Sequence, residues 1–396
     1  MKAWRLARRW LALGALGALG AAPAFALQVC ALDGTPVDPA NGASTAGRSG
    51  MMRCRDADSG QLQREQELQN GVFMGLARQY RDGKLARDYK VNARGNIDGP
   101  AREFGPEGQL LRESVYDDGT EVGLVRSYHA NGKLRRVAFR DSSGLGSAVA
   151  DRASAEFTSS GQLAALRCGS APVLAPVVDD ARLCGFQGGP SEVALFDEKG
   201  LRLARATWRE GKRIRSESLY DNGKPATQQE IRGNERIERR FSSEGVKRRE
   251  LVSTLLERGQ VPRSEQEFSE AGTLLRDRRW NADGQPLSDD SFYLNGQPRS
   301  KARFSGSDAA LAADITEFHD NGQPAAQGRF LTPARAPQVP VGAHQRFNDS
   351  GALAGETDYD TRGRIQRERS WDDSGALLSD EEVFADGSRK AFSKAP

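Results

Sequence analysis

The side chains best suited to catalysis or metal binding are few and scattered in this sequence of 396 residues. The three histidines, His129, His319 and His344, have no serine, aspartate or cysteine partners arranged around them in the chain as a catalytic or metal motif would require. Paired carboxylates such as Asp289-Asp290 recur, and most of them fall in turn-like stretches, where aspartate favours local backbone hydrogen bonds. No GxSxG, HExxH or phosphate-loop motif occurs. We therefore expect no catalytic residues, no metal site and no cofactor, and a hydrolase that uses scattered carboxylates is a remote alternative.

The first 26 residues have the three-part pattern of a secretory signal peptide. Four basic residues precede an apolar stretch from Trp10 to Ala22, and Ala24-Phe25-Ala26 is typical of a cleavage site. This pattern predicts an extracytoplasmic protein, periplasmic or secreted, with no integral membrane segment after cleavage; an N-terminal membrane anchor is the alternative. Removing the four basic residues takes the formal net charge from +3 to −1, and such a balance does not favour nucleic-acid binding.

Export places the four cysteines in an oxidising compartment. Proximity along the chain favours a Cys30–Cys54 bridge and a Cys168–Cys184 bridge, although four cysteines allow three connectivities. No CxxC motif occurs, so we interpret both pairs as structural and not as redox or zinc sites.

The body of the chain repeats a pattern of an aromatic residue, a glycine three or four positions later, and in most copies Leu, Ile or Pro two positions after that glycine. Neighbouring copies are most often 12 residues apart, which fits one strand plus one turn. We expect the aromatic residues of these copies to form a structural stripe: Tyr80, Phe104, Tyr116, Tyr128, Phe196, Trp208, Tyr220, Phe268, Trp280, Tyr293, Phe318, Phe347, Tyr359, Trp371 and Phe384.

Turn chemistry explains the pattern. A three-residue loop ending at Gly108 would place Phe104 opposite Leu110, and a two-residue turn at Asn222-Gly223 would place Tyr220 opposite Pro225. Each copy would then pair an aromatic with an aliphatic residue on one continuous apolar stripe. The predicted fold is all-β, an elongated antiparallel meander of strand-turn units of about 12 residues. One short helix is expected at residues 248–258.

Breaks in the rhythm suggest a division of the chain into segments. The predicted segments are a signal peptide (1–26), an irregular disulfide-containing lead-in (27–67), a β-repeat block (68–140), an irregular disulfide-containing insert (141–190), a second block (191–330), a Pro-rich linker or loop (331–342) and a C-terminal block (343–396).

The unit Tyr128-His-Ala-Asn-Gly132-Lys-Leu134 resembles the MORN-repeat variant of bacterial proteins, and Asp221-Asn222-Gly223 belongs to a similar copy. The resemblance implies an extended antiparallel meander without catalytic residues, in a family that includes YwqK-type antitoxins. The signal peptide and the cysteine pairs depart from a cytoplasmic antitoxin. The segment from Tyr359 to Ile365 is also similar to one YD repeat of Rhs-type shell proteins, which is a second resemblance.

These observations predict a non-enzymatic binding protein that presents an extended strand surface to an unidentified protein partner, such as a toxin or effector that it would neutralise. The alternatives are an envelope structural protein that binds glycan or peptidoglycan, and a fragmentary Rhs-like shell protein. The oligomeric state and the binding face are left open by the sequence.

Overall fold

A computed structural model describes residues 28–141, 151–307, 310–333 and 337–394. Within these ranges the chain is nearly all β, with 29 strands and two helices of four residues each. The expected signal peptide lies outside the described residues. In the described part of the chain, no helix is long and apolar enough to cross a membrane. The chain divides after Gly132 into a first and a second compact unit.

The first unit is one antiparallel sheet in the order β2-β1-β3-β4-β5-β6-β7-β8-β9, so that beyond β1 and β2 each strand pairs with the next one along the chain. Its elements are β1 (Gln28–Leu32), β2 (Thr35–Val37), α1 (Gly42–Thr45), β3 (Gly50–Asp56), β4 (Leu62–Gln69), β5 (Val72–Arg81), β6 (Lys84–Val91), β7 (Ile97–Phe104), β8 (Leu110–Asp117) and β9 (Thr120–Tyr128).

The second unit contains a ladder of β10, β11 and β12 and a 17-stranded antiparallel ladder that runs from β13 to β29 in chain order. Its elements are β10 (Leu134–Arg140), β11 (Asp151–Phe157), β12 (Leu163–Arg167), α2 (Asp180–Leu183), β13 (Ser191–Phe196), β14 (Arg202–Arg209), β15 (Lys212–Leu219), β16 (Pro225–Arg232), β17 (Glu235–Phe241), β18 (Lys247–Leu255), β19 (Gln260–Phe268), β20 (Leu274–Trp280), β21 (Pro286–Phe292), β22 (Pro298–Ser307), β23 (Ala310–Phe318), β24 (Pro324–Pro333), β25 (Val339–Phe347), β26 (Leu353–Tyr359), β27 (Ile365–Trp371), β28 (Leu377–Val383) and β29 (Arg389–Lys394).

The expected three-residue loop at Gly108 is confirmed, because Phe104 pairs with Leu110 and the N–H of Gly105 donates to the carbonyl of Gln109 at 2.8 Å. A two-residue turn forms at Asp82-Gly83, where both residues have positive φ (52° and 74°). Such a turn matches the twist of the flanking strands. Loop length therefore varies from copy to copy.

The two-residue turn expected after Tyr220 is wrong. Leu219 pairs with Pro225, and the Tyr220 N–H donates to the Lys224 carbonyl at 2.9 Å, so the loop has three residues and Tyr220 faces Lys224. The cause is the Asn222 side chain, whose Oδ1 accepts the N–H of Lys224 at 3.0 Å and closes the longer loop.

Three other expectations differ from the structure. The helix at 248–258 is wrong, because β18 covers most of that segment and pairs with β17 on one side and β19 on the other. Residues 27–67 are not an irregular lead-in, since β1 to β4 occupy most of them. Residues 331–342 are not a linker, because Leu331 of β24 pairs with Val339 of β25 within the long ladder. In each case, backbone pairing with neighbouring strands overrides the local propensity.

Both cysteine pairs are joined as expected. Cys30 and Cys54 face each other in the β1–β3 register with their Cα atoms 4.0 Å apart. Cys168 and Cys184 have Cα atoms 5.8 Å apart and link the end of β12 to the end of α2. The first bridge belongs to a buried cluster with Leu32, Met52 and Leu68. Each bridge thus fixes a region where the regular repeat begins or is interrupted.

Candidate functional site: the arginine face of the first unit

An Arg-x-aromatic motif recurs every 24 residues on alternate strands of the first unit. It occurs on β5, β7 and β9, at the ends that lead into the hairpin tips, as Arg78-x-Tyr80, Arg102-x-Phe104 and Arg126-x-Tyr128. Because residues two apart on a strand point to the same face, the arginine and the aromatic ring of each motif share one side of the sheet.

The intervening strands place a carboxylate opposite each arginine. The register aligns one residue from each of seven consecutive strands, alternating in charge: Arg53, Glu65, Arg78, Asp88, Arg102, Glu113 and Arg126. We call this row, together with Tyr80, Phe104 and Tyr128, the arginine face. Opposite charges directly across a ladder stabilise the pairing, whereas like charges would weaken it.

Glu65 is held by three donors. Its carboxylate accepts from Arg53 Nε at 2.9 Å, from Arg78 Nη1 at 3.2 Å and from the Tyr80 hydroxyl at 2.7 Å. Burial alone would raise the pKa of Glu65, but these hydrogen bonds keep that pKa below its ordinary value. Burial and the bond to Glu65 raise the pKa of Tyr80. The carboxylate is therefore ionised at neutral pH and fixes both guanidinium groups.

The middle motif replaces the tyrosine hydroxyl with a second arginine bond. Phe104 has no hydroxyl, and Asp88 is bound through both its oxygens by Arg102, from Nε at 3.1 Å and from Nη2 at 2.5 Å. The same guanidinium lies over the Phe104 ring with its Cζ 5.7 Å from the ring centre. The hydrogen bond to Asp88 raises the pKa of Arg102. A forked pair of this kind fixes the orientation of the guanidinium plane.

The third motif repeats the geometry of the first. The Tyr128 hydroxyl donates to Glu113 Oε2 at 2.6 Å, and Arg126 Nη1 lies 3.7 Å from the same oxygen. Burial and the bond to Glu113 raise the pKa of Tyr128 to about 12.

Exposure separates the two signs of charge on this face. The Glu65 and Asp88 side chains are each 9% exposed, whereas those of Arg78 and Arg102 are 39% and 54% exposed. Each guanidinium has five N–H donors and uses only some of them on the carboxylates. The surface therefore offers ordered cationic N–H donors above carboxylates that are themselves covered.

The second unit lacks this regular motif. Its long ladder has a comparable central row, in which Arg205 bonds Glu217 and Gln345 bonds Glu356. The positions two residues before its aromatic residues vary, and they are Ala194, Arg239, Gln266, Asp290, Thr316, Gln345 and Arg369 on the strands that carry Phe196, Phe241, Phe268, Phe292, Phe318, Phe347 and Trp371. Only the first unit thus repeats the same cation at constant spacing in the described ranges.

The fifteen residues of the predicted stripe lie next to hairpin tips, but successive tips alternate between the two ends of the strands. They therefore form two bands and not one stripe. Trp208 is buried, Phe384 is exposed and the other thirteen are half-buried. Several pair across the ladder with polar residues, as Tyr116 does with Glu121. Six rings lie under a cationic side chain: Phe104, Phe196, Trp208, Phe268, Trp280 and Phe318.

Hairpin tips on the same side of the long ladder are tied together by the asparagine of the Asn-Gly turns. Asn222 Nδ2 donates to the carbonyl of Ser243 in the next tip on that side, at 2.8 Å. Asn295 and Asn321 make the equivalent bond to a later tip. A second bond to a backbone carbonyl joins the same tips, from Tyr220 to Phe241, Tyr293 to Phe318 and His319 to Phe347. The sequence analysis interpreted these residues only as turn formers, although their 20-to-30-residue recurrence could have indicated a contact between tips.

The histidines lie far apart in local environments of their own. His319 Nδ1 is 3.2 Å from Asp349 Oδ1 at a hairpin tip, and the His344 ring lies edge-on between Phe330 and Tyr359. Across the described ranges, no group of three or more His, Cys, Asp or Glu side chains is arranged to hold a metal ion.

Comparison with known proteins identifies one MORN repeat variant, matched at residues 121–139. This segment contains β9, most of β10 and the Arg126-x-Tyr128 motif, so the arginine face includes a MORN-type repeat. No curated protein matches the chain.

Solved structures resemble the chain only distantly. S. aureus TarM is 14% identical over 29% of this chain and 21% of that protein, with a TM-score of 0.19. The TcdB2-TccC3-TEV structure is 13% identical over 90% of this chain and 20% of the other, with a TM-score of 0.18. A putative 6-phosphogluconolactonase from Bacteroides uniformis is 15% identical over 92% and 94%, with a TM-score of 0.13. The chain thus spans about a fifth of the length of the first two.

Proposed function

We propose that this protein is a non-enzymatic, extracytoplasmic β-repeat protein whose arginine face binds a protein partner. The observation that carries the proposal is the arrangement on that face, where buried carboxylates hold half-exposed guanidinium groups in a regular row. Ordered donors of one sign favour fast and selective association with a surface of opposite charge. An immunity protein that neutralises an incoming effector is a specific form of this function.

Two further features support the proposal. A pair of disulfides is compatible with an oxidising compartment outside the cytoplasm. The charged side chains of the arginine face are already ordered by hydrogen bonds, so binding would cost less side-chain entropy than it would for free surface arginines.

Site-specific cross-linking would test the proposed face. A photo-reactive amino acid would replace Lys90, which is exposed two residues from Asp88 on the arginine face, or Gln79, which is exposed on the opposite face of β5. We expect a discrete protein adduct from the Lys90 position and not from Gln79, followed by binding of the purified partner in calorimetry. Adducts from both positions alike, or co-sedimentation with peptidoglycan sacculi without a protein adduct, would refute the proposal.

A further inference from the structure

We infer that the partner segment bound by the arginine face is an acidic chain in the polyproline II conformation, with a carboxylate at every third residue. This inference rests on the proposed function and specifies the chemistry of the partner. It is carried by the spacing of two parallel rows, one of arginines and one of aromatic rings, on the same side of the first unit.

The arginine row sets the first spacing. The register places Arg78, Arg102 and Arg126 two strands apart from one another. Neighbouring strands are about 4.8 Å apart, so these arginines recur about every 9.6 Å across the sheet. A polyproline II helix has three residues per turn and rises about 3.1 Å per residue, so side chains at every third position recur about every 9.3 Å on one side. Carboxylates at that interval would each meet one guanidinium.

The aromatic row sets the second spacing. Tyr80, Phe104 and Tyr128 lie two residues further along the same strands, about 6.6 Å from the arginine row. All three rings are half-buried and keep an accessible surface. Aromatic rings at regular intervals are the surface on which polyproline II segments dock. A ligand that crosses the strands at right angles could therefore place acidic side chains over the arginines and proline rings over the aromatic residues.

The covered carboxylates make this row suitable for an anionic ligand. Glu65 and Asp88 lie beneath the arginines and are almost fully covered, so an incoming carboxylate meets guanidinium N–H groups first. Bonds to Asp88 and contact with Phe104 hold the Arg102 guanidinium in place before binding. A preorganised donor loses less entropy when it binds.

Peptides of matched composition would test the spacing without altering the protein. The mature chain would be titrated with a peptide of about five Pro-Pro-Glu repeats, with a block isomer in which all glutamates precede all prolines, and with a Pro-Pro-Lys peptide, at about 0.1 M salt. We expect the periodic acidic peptide to bind about tenfold more tightly than the block isomer and the basic peptide not to bind. Equal affinity for the two acidic peptides, or no binding of the periodic one, would overturn the inference.

A protein variant provides a second test. Arg126→Gln removes one cation from the row, while Glu113 keeps its bond from the Tyr128 hydroxyl. We expect the periodic peptide to bind about fivefold to tenfold more weakly, with a smaller dependence on salt. Arg81→Gln is the matched control, because Arg81 is exposed on the opposite face of β5. Equal losses for the two variants would contradict the inference, and the peptide comparison stands if Arg126→Gln fails to fold.

The two proposals fail in different ways. If no peptide binds but the Lys90 position still cross-links to a protein, the acidic polyproline inference is wrong and the proposed function stands. If the periodic peptide binds but no protein adduct forms at Lys90, the inference about ligand chemistry is supported and the proposed protein-binding function is refuted.

Discussion

Replacing Glu65 with glutamine tests whether the arginine face is held together by its covered carboxylates. The carboxylate accepts from Arg53 Nε at 2.9 Å, Arg78 Nη1 at 3.2 Å and the Tyr80 hydroxyl at 2.7 Å. An amide oxygen can keep the Tyr80 bond, but the amide nitrogen is itself a donor and cannot accept from the arginines. Glu65→Gln should therefore retain one strong contact and lose two charge-assisted ones.

The magnitude follows from the burial of the partners. A hydrogen bond to a charged group contributes about 1.5–3 kcal/mol. Both arginines are partly exposed and can be solvated again by water, so we discount the two lost bonds to about 2 kcal/mol in total. A change of 1.4 kcal/mol is tenfold, so local opening of the β4–β5 pair should become about 30-fold more frequent.

Hydrogen exchange of the backbone amides in β4 and β5 would measure this effect locally, which suits a repeat array whose strands contact mainly their neighbours. Glu107→Gln is the matched control, because Glu107 is an exposed residue at a hairpin tip of the same unit, and its exchange should stay unchanged. If Glu65→Gln alters exchange no more than Glu107→Gln does, the carboxylates do not order the arginine face and the reasoning is wrong.

Three further predictions concern other parts of the fold. Tyr220→Ala should lower the thermal unfolding midpoint several-fold more than Asp221→Ala, because Tyr220 is half-buried and joins two tips while Asp221 is exposed; equal shifts would contradict this role. Replacing Cys168 and Cys184 together with alanine should lower the free energy of unfolding by about 3 kcal/mol in urea titrations, and an unchanged value would show that the bridge is not stabilising. The raised pKa of Tyr128 means that its stabilising effect is complete below about pH 10 and is lost as the pH rises towards 12, so the stability difference between the wild type and Tyr128→Phe should shrink over that interval; a constant difference would refute the coupling.

Local sequence was sufficient to predict the all-β meander and part of its pairing. Period-two alternation and glycine-containing turns about 12 residues apart depend on short-range geometry, so they predicted strands and the contact of Phe104 with Leu110. The pairing of Cys30 with Cys54 was also predictable, because neighbouring strands bring nearby residues together. The Arg-x-aromatic recurrence at 24 residues was present in the sequence as well, but the interpretation of the rings as an apolar stripe left the arginines out.

Other features depend on contacts between strands and could not be predicted in this way. Residues 248–258 have helix-compatible composition, yet pairing on both sides makes most of them the strand β18. The loop after Tyr220 has three residues because Asn222 bonds both its own loop and the next tip.

The sequence by itself determined the repeating strand-turn unit, because turns and alternation are local properties of the chain. Only the tertiary structure decided the cross-strand register, and the register placed Glu65 and Asp88 beneath a row of arginines. The physical reason is that burial of a carboxylate depends on side chains from several strands that are distant in sequence. The arginine face is therefore a property of the assembled sheet and not of any single repeat.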